Sequence, residues 1–322
     1  MRSYWIVPSA AGVAFEQRDV PRPDPKEGQL QVAVKATSFN RGEMIVSRGA
    51  HAPALKTAGG DCAGEVAAVG PGVTGFAVGE RVMGRCAGGF AEYATMDARE
   101  ALRIPARLSW EQAAAIPLSF MVVHDMLVTH GHLQSGEWLL ITGVSSGVGV
   151  AALQVAKVLG AKVLGTSGSA EKLARLEQLG LDVGVATRGT GFYEPAMQAT
   201  GGKGVNLVVN NVGGTMFAEC IRCLAYEGRL ATVGYLDRTM TAEIDLAALH
   251  AKRLQLFGVS NKLRPPAERA QTVRGFEKDF LPYFADGRLA PIVDRVFDFA
   301  EVPAAHAYFD SGATLGKVVV RL

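Results

Sequence analysis

An apolar run that breaks on a glycine-rich turn and passes straight into helical spacing leaves few folds open to this chain. Leu139-Leu140-Ile141-Thr142 leads into Gly143-Val144-Ser145-Ser146-Gly147-Val148-Gly149, then into a helical pattern over 150–159 and a second apolar run over 161–166. Strand, turn, helix and strand in that order make a βαβ unit, which needs a parallel sheet to complete it.

The turn has the chemistry of an anion site. Gly147 and Gly149 let the backbone approach a pyrophosphate, and the helix start offers unpaired N–H groups at the positive end of its dipole. Ser145 and Ser146 add hydroxyl donors. A glycine fingerprint alone is weak evidence, so the rest of the chain has to carry the nucleotide reading. At the end of the second strand, residues 163–169, an NAD-selective site would place Asp or Glu for the ribose 2′-hydroxyl, but this chain has Ser167, Gly168 and Ser169. With Lys172 and Arg188 following, the segment suits a 2′-phosphate, and NADP(H) is expected over NAD(H). Lys172 taken alone also fits a solvated position on the helix starting near Ala170.

At 322 residues the chain exceeds one ordinary core, and two domains are expected. Hydrophobic residues at 48% and charged residues at 20% suit a folded core rather than disorder. With 33 basic against 31 acidic residues and no basic run, nucleic acid is not an expected partner. No apolar stretch approaches the ~20 residues that span a bilayer, and the N-terminal apolar run stops at Pro8, too short for a secretory signal. A cytoplasmic protein without a membrane partner is the expectation. Cys62, Cys86, Cys220 and Cys223 are too scattered for a disulfide framework. The Cys220–Cys223 spacing falls in a helical pattern and reads as buried structural thiols.

Residues 1–117 alternate short apolar runs (30–36, 61–69, 81–84, 90–95) with turns such as Gly70-Pro71-Gly72, the pattern of a β-rich barrel. An alanine-rich helix starts at Ser109, and 122–130 continues helical. Six strand-like runs follow at 138–142, 161–166, 182–186, 205–210, 229–234 and 254–259, alternating with helices as a doubly wound sheet requires. Strand patterning returns at 293–299 and 316–322, so the last segment is expected to rejoin the first domain.

Several motifs carry a family resemblance: Ala36-Thr37-Ser38-Phe39-Asn40, Gly59-Gly60-Asp61-Cys62-Ala63-Gly64-Glu65-Val66, Gly70-Pro71-Gly72-Val73, Val78-Gly79-Glu80-Arg81-Val82, the 143–149 turn, Val212-Gly213-Gly214 and Gly316-Lys317-Val318-Val319. On these, over essentially its whole length, the chain resembles the medium-chain dehydrogenase/reductase superfamily, in its zinc-independent, zeta-crystallin-like quinone oxidoreductase branch. The resemblance implies an α/β protein: a GroES-like β-barrel catalytic domain (1–117 and 262–322) and a Rossmann doubly wound parallel-sheet domain (118–261) that binds NADP(H). It places the cofactor in a cleft between the two. Zinc-dependent relatives have a ligand His at position 61 and a ligand Cys near 38; Asp61 and Ser38 stand there, and no metal is expected. Asp61 itself reads as a turn-capping carboxylate.

Beyond Ser145, Ser146, Gly147, Val148, Gly149, Ser167, Ser169, Lys172 and Arg188, the resemblance implies dinucleotide contacts at Asn211 and Val212, at Gly234 and Tyr235, at Phe257, Gly258 and Val259, and at Lys317. Asn40 matches an Asn that donates to a carbonyl oxygen gaining charge, although an Asn that holds a loop through its own hydrogen bonds fits equally. Ser38 is a second donor candidate and His51 a candidate acid. Glu43 keeps a family acid, whereas Ile45 and His51 stand where tyrosines are frequent, which removes stacking surface for an aromatic quinone. The expected activity is NADPH-dependent reduction of a small-molecule quinone or other conjugated carbonyl by direct hydride transfer. A reductase of enoyl thioesters or alkenals is the alternative, and a non-catalytic NADPH-binding structural or regulatory protein the rival of another class. A homodimer is expected by analogy alone.

Overall fold

The six alternating apolar runs of the second half form one sheet in the computed structural model, which describes residues 1–9, 12–45 and 56–322. From edge to edge the strands are Val183–Ala186, Lys162–Ser167, Trp138–Thr142, Val205–Asn210, Leu224–Thr232 and Gln255–Gly258, all parallel. A parallel sheet covered by helices buries both strand faces, which explains why the central runs do not alternate. Leu139, Leu140, Ile141, Leu207, Val208 and Val209 are all fully buried. The fifth strand starts earlier than the apolar pattern suggested, because a register shift between Val205 and Leu207 lets Leu224 pair before the main ladder at Arg229.

The chain divides into two units, Met1–Met121 with Pro266–Leu322, and Val122–Pro265. The sequence reading placed these crossings at 117/118 and 261/262. The first crossing falls inside the helix Pro117–His124, whose apolar residues give no local signal of a boundary. The expected helical run over 122–130 tightens into a π turn, Asp125–Thr129, closed by the His130 amide on the Asp125 carbonyl at 3.0 Å.

In the first unit a seven-stranded sheet runs Val293–Asp298, Lys317–Arg321, Gln29–Ser38, Asp61–Val69, Arg81–Arg85 and Ala101–Arg103, with Tyr93–Asp97 also paired to Gln29–Ser38. The C-terminal strand thus rejoins the first unit. Val319 pairs with Ser38, and the Phe39 amide donates to the Val318 carbonyl at 3.0 Å, which sets Lys317 beside the end of the Ser38 strand. A hairpin, Arg2–Ser9 with Gly12–Asp19, was not evident from the sequence because Pro8 reads as a terminator. Pro8 is tolerated because the third strand, Lys56–Thr57, pairs only at Trp5 and Ile6, so the missing N–H breaks no ladder on that side. An aromatic core lies under this region: the Phe39 ring stands 4.7 Å from Phe90, 5.6 Å from Phe15 and 5.5 Å from Phe309. Among the described residues no helix is long and apolar enough to cross a membrane.

Candidate active site

Two constellations carry chemistry, one in each unit. In the Val122–Pro265 unit, the helix Gly147–Val158 starts at the glycine turn, where the Ser146 hydroxyl accepts from the Gly149 amide at 3.1 Å. The amides of Gly147 and Val148 have no acceptor among the described residues, as the first turn of a helix requires. Gly149 has no room for a side chain: a Cβ there would lie 2.6 Å from the Gly143 carbonyl oxygen. The helix can therefore press against the turn and present its open amides to an anion.

The end of the neighbouring strand continues this surface. Ser145 and Ser167 share a hydrogen bond at 3.1 Å, and the Ser169 hydroxyl accepts from the Lys172 amide at 3.3 Å as a helix cap. Ser146 and Ser169 act in these caps as acceptors, so each keeps its own hydrogen for a ligand. Arg188 is exposed and lies across Gly168: a Cβ on that glycine would come 2.5 Å from the Arg188 Cγ and 2.6 Å from its Nε. The sequence reading named Arg188 and the serines for one phosphate; that Gly168 makes room for the arginine is visible only in three dimensions.

The crevice where a doubly wound sheet changes direction lies between the ends of Trp138–Thr142 and Val205–Asn210. There Asn210 donates to the Gly213 carbonyl at 2.9 Å and accepts from the Thr142 hydroxyl at 3.1 Å. An ionised Asp would have no hydrogen to donate, so the Asn is what this clip needs. The Asn211 side-chain amide donates to the Thr142 carbonyl and its backbone amide to the Thr142 hydroxyl, each at 3.0 Å, so both are committed inside the protein. Gly234 and Tyr235 follow the fifth strand and are partly exposed; Phe257 and Gly258 end the sixth, and Val259 beyond them is buried. Cys220 and Cys223 are buried in the helix Gly214–Cys223, and burial, helped by the charge of Glu219, pushes the Cys223 thiol up to about 12, so neither is a ready nucleophile.

In the unit that includes residues 38–61 and 317, Asp61 is not a turn cap. It opens the strand Asp61–Val69 fully buried, where its Oδ1 accepts from the Ser38 hydroxyl at 3.0 Å and the Asn40 amide at 3.1 Å, and its Oδ2 from the Leu118 amide at 3.4 Å. Glu43 takes the Gly59 and Gly60 amides, each at 3.1 Å, and the Asn40 amide at 3.2 Å. Lys317 donates to the Asn40 Oδ1 at 2.7 Å and the Phe39 carbonyl at 2.9 Å. These partners fix the Asn40 flip, since the reverse would set its oxygen against two carboxyls and its NH₂ against an ammonium. Ser38 and Asn40, the two donor candidates, both donate to Asp61, so these donors are spent inside the protein. His51 lies outside the described residues. Sequence reasoning missed the junction of Lys317 with Asn40, 277 residues apart, for which no local signal exists. Among the described residues, no group of three or more His, Cys, Asp and Glu is arranged to hold a metal ion.

Burial, and then the charge of Asp61, raises the Glu43 carboxyl above its ordinary range; burial raises Asp61 against the pull of Lys317; and burial lowers Lys317. A carboxyl whose folded pKa lies above its unfolded one binds its proton more tightly when folded. Its contribution to stability is present below the unfolded value and is lost as pH rises through the raised one. Glu43→Gln keeps one of the two oxygens that the glycine amides use and removes the titration, so its stability is expected to fall less than the native protein's as pH rises above the ordinary carboxyl range in denaturant unfolding. Equal slopes would show that Glu43 does not titrate in that window.

Two family models match the chain: a zinc-binding dehydrogenase model over residues 147–274 and an alcohol dehydrogenase GroES-like domain model over 26–106. Among solved structures, the Escherichia coli quinone oxidoreductase complexed with NADPH is similar with a TM-score of 0.87 at 26% identity, over 100% of this chain and 99% of that one. The CurK enoyl reductase is similar with a TM-score of 0.84 at 25% identity, over 100% of this chain and 99% of that one. The erythronolide synthase EryA2 of Saccharopolyspora erythraea is 37% identical over 321 residues, 96% of this chain but 8% of that protein. Other curated relatives are also polyketide synthases, and the chain spans only a small part of each, 5% in the case of GfsB from Streptomyces halstedii.

Proposed function

The chain belongs to the medium-chain dehydrogenase/reductase superfamily, in its quinone oxidoreductase branch, and from that premise we propose that it is an NADPH-dependent reductase of quinones or other conjugated carbonyls, acting without zinc. The observation that carries the cofactor choice is the surface at the end of Lys162–Ser167: the hydroxyls of Ser167 and Ser169, an exposed arginine laid over a glycine, and no carboxylate. A 2′-phosphate needs cations and donors there, and a carboxylate would repel it.

Bound NADPH would supply the hydride. The Gly147 and Val148 amides would hold its pyrophosphate, and Ser167, Ser169, Lys172 and Arg188 its 2′-phosphate. Catalysis on this reading is mainly orientation of an electron-poor carbon, together with donors for the anion that forms on the substrate. Reduction of enoyl thioesters is the second reading, favoured by the likeness to the CurK enoyl reductase.

NADPH and NADH titrations by fluorescence, followed by NADPH oxidation with quinones, enones, alkenals and enoyl thioesters, test both readings. Turnover confined to one class selects between them. Tight NADPH binding with no turnover on any of the four would favour a non-catalytic protein. Arg188→Ala is expected to weaken NADPH by about 10- to 100-fold, the worth of a charge-assisted phosphate contact, with NADH unchanged. Lys172→Ala should shift the same way, and equal losses for both dinucleotides would remove either residue from the phosphate site.

A further inference from the structure

The rim of the nucleotide crevice carries apolar side chains that the core does not take up. By strand order, Ser167 ends the strand on one side of the glycine turn and Val212 follows the strand on the other. On that second side, a Cβ on Gly143 would lie 3.5 Å from the Val212 Cγ2 and 3.8 Å from the Leu236 Cδ1, so both side chains reach over the start of the turn. Leu236 is nevertheless 41% exposed, with Tyr235 beside it at 37%. Leu236 comes from the loop after the fifth strand, and one carboxylate holds that loop. Asp237 Oδ2 accepts from the Thr215 amide at 2.8 Å and the Thr215 hydroxyl at 2.5 Å, and its Oδ1 from the Thr239 amide at 2.8 Å. Its own amide donates to the Val212 carbonyl at 2.9 Å, and the Gly214 amide closes the set on the Thr239 carbonyl at 2.9 Å. Burial works against the charge, but the bonds from Thr215 and Thr239 hold the Asp237 carboxyl below its ordinary range, so it accepts as a carboxylate at neutral pH. Between Asp237 and Thr239, Arg238 stands at φ 62°, a left-handed conformation that a side chain disfavours and that surrounding bonds have to maintain.

We propose that Asp237 is a positioning residue for the nicotinamide end of the dinucleotide: it ties the loop after the fifth strand to Val212 and to the helix Gly214–Cys223, and so keeps Leu236 and Val212 as an apolar ledge for that end. The inference rests on the dinucleotide reading above. With the 2′-phosphate at Ser167, Ser169 and Arg188 and the pyrophosphate on the Gly147 and Val148 amides, the rest of an extended dinucleotide leaves on the other side of the turn, where the strand order reverses. A flat ring gains there from apolar contact, and a ring that hands over a hydride gains from contact that is rigid. Every residue of this arrangement belongs to the Val122–Pro265 unit. None of the groups assigned to the phosphates takes part in the clamp, so the two ends of the dinucleotide can be separated by experiment.

Calorimetric titration with NADPH and with 2′-phospho-ADP-ribose, which lacks the nicotinamide, separates this role from that of a helix cap. The native protein should bind NADPH about 10-fold more tightly than the fragment, the equivalent of one apolar side-chain contact. Asp237→Ala is expected to remove most of that difference, weakening NADPH by about 10-fold and the fragment by less than about twofold. Leu236→Ala leaves every bond of the clamp in place and should act in the same direction, so it serves if Asp237→Ala does not fold. Equal losses for both ligands would make Asp237 a structural cap and overturn the proposal. Unchanged NADPH affinity in both variants would overturn it too, as would a native protein that binds the fragment as tightly as NADPH. A native protein that prefers NADPH, loses that preference in the variants and reduces nothing in the substrate panel removes the reductase reading and upholds this role, whereas one that binds neither ligand removes both.

Discussion

Glu219→Ala is expected to cost about 3–5 kcal/mol of stability, the range for removing one partner from a buried, charge-assisted set of hydrogen bonds. From the helix Gly214–Cys223, Glu219 Oε1 accepts the amides of Phe192 at 2.6 Å, Tyr193 at 2.7 Å and Gly191 at 2.8 Å, the last shared with Oε2 at 3.0 Å. These are the open donors at the start of the helix Tyr193–Ala199, whose own Phe192 cap supplies no side-chain acceptor. The carboxylate therefore does from a neighbouring helix what a capping Ser or Asp usually does locally, with the helix dipole in its favour. Truncation leaves buried amides without acceptors beside the fully buried Phe192 ring. In thermal unfolding the loss should appear as about 8–15 °C in a unit of this size. Glu219→Gln keeps one acceptor oxygen and should cost about 1–2 kcal/mol. An alanine variant as stable as the native protein would show that water replaces the carboxylate and that the clamp contributes nothing.

Gly149→Ala should abolish measurable dinucleotide binding, a loss of about 100-fold or more, and destabilise by about 2–3 kcal/mol through overpacking. The added carbon would meet the Gly143 carbonyl at 2.6 Å and the Val144 Cα and carbonyl oxygen at 2.7 Å. All three are backbone atoms of the same turn, so no side chain can move aside to relieve the contact. The helix would have to retreat from the strand end, and the Gly147 and Val148 amides would move with it. Gly189→Ala is the control, since a Cβ there meets nothing within 4 Å, and it should stay within about 0.5 kcal/mol of the native protein. Fluorescence titration and denaturant unfolding of the two variants decide the matter: an alanine at 149 that binds NADPH normally would mean that the turn does not hold the dinucleotide.

The legible part of the site was the part built from neighbours in sequence. Ser146 caps Gly149 three residues away, and Ser169 caps Lys172 at the same spacing; the residues stood out in the sequence as ligand donors, and their capping roles came with the structure. Asp61 was legible as a residue but not as an environment. Its pattern, Gly60-Asp61, suggested a turn, whereas its partners Ser38, Asn40 and Leu118 arrive from another strand, the loop after it and a helix. Asn40 allowed two readings on sequence, a donor to substrate or a holder of its loop. The structure gives its amide to Asp61 and Glu43 and its carbonyl to Lys317.

Sequence by itself determined the parallel sheet, the glycine turn and the return of the C-terminal strands to the first unit, because periodicity, turn chemistry and the exclusion of a carboxylate at 167–169 are properties of adjacent residues. Tertiary structure alone decided that Glu219 caps a helix 26 to 28 residues away, that Arg188 rests on Gly168 and that Lys317 points at Asn40. Each of these depends on a polar group losing water and finding its partner across the fold, and that cost and its compensation are fixed by distance in space, which spacing along the chain does not encode.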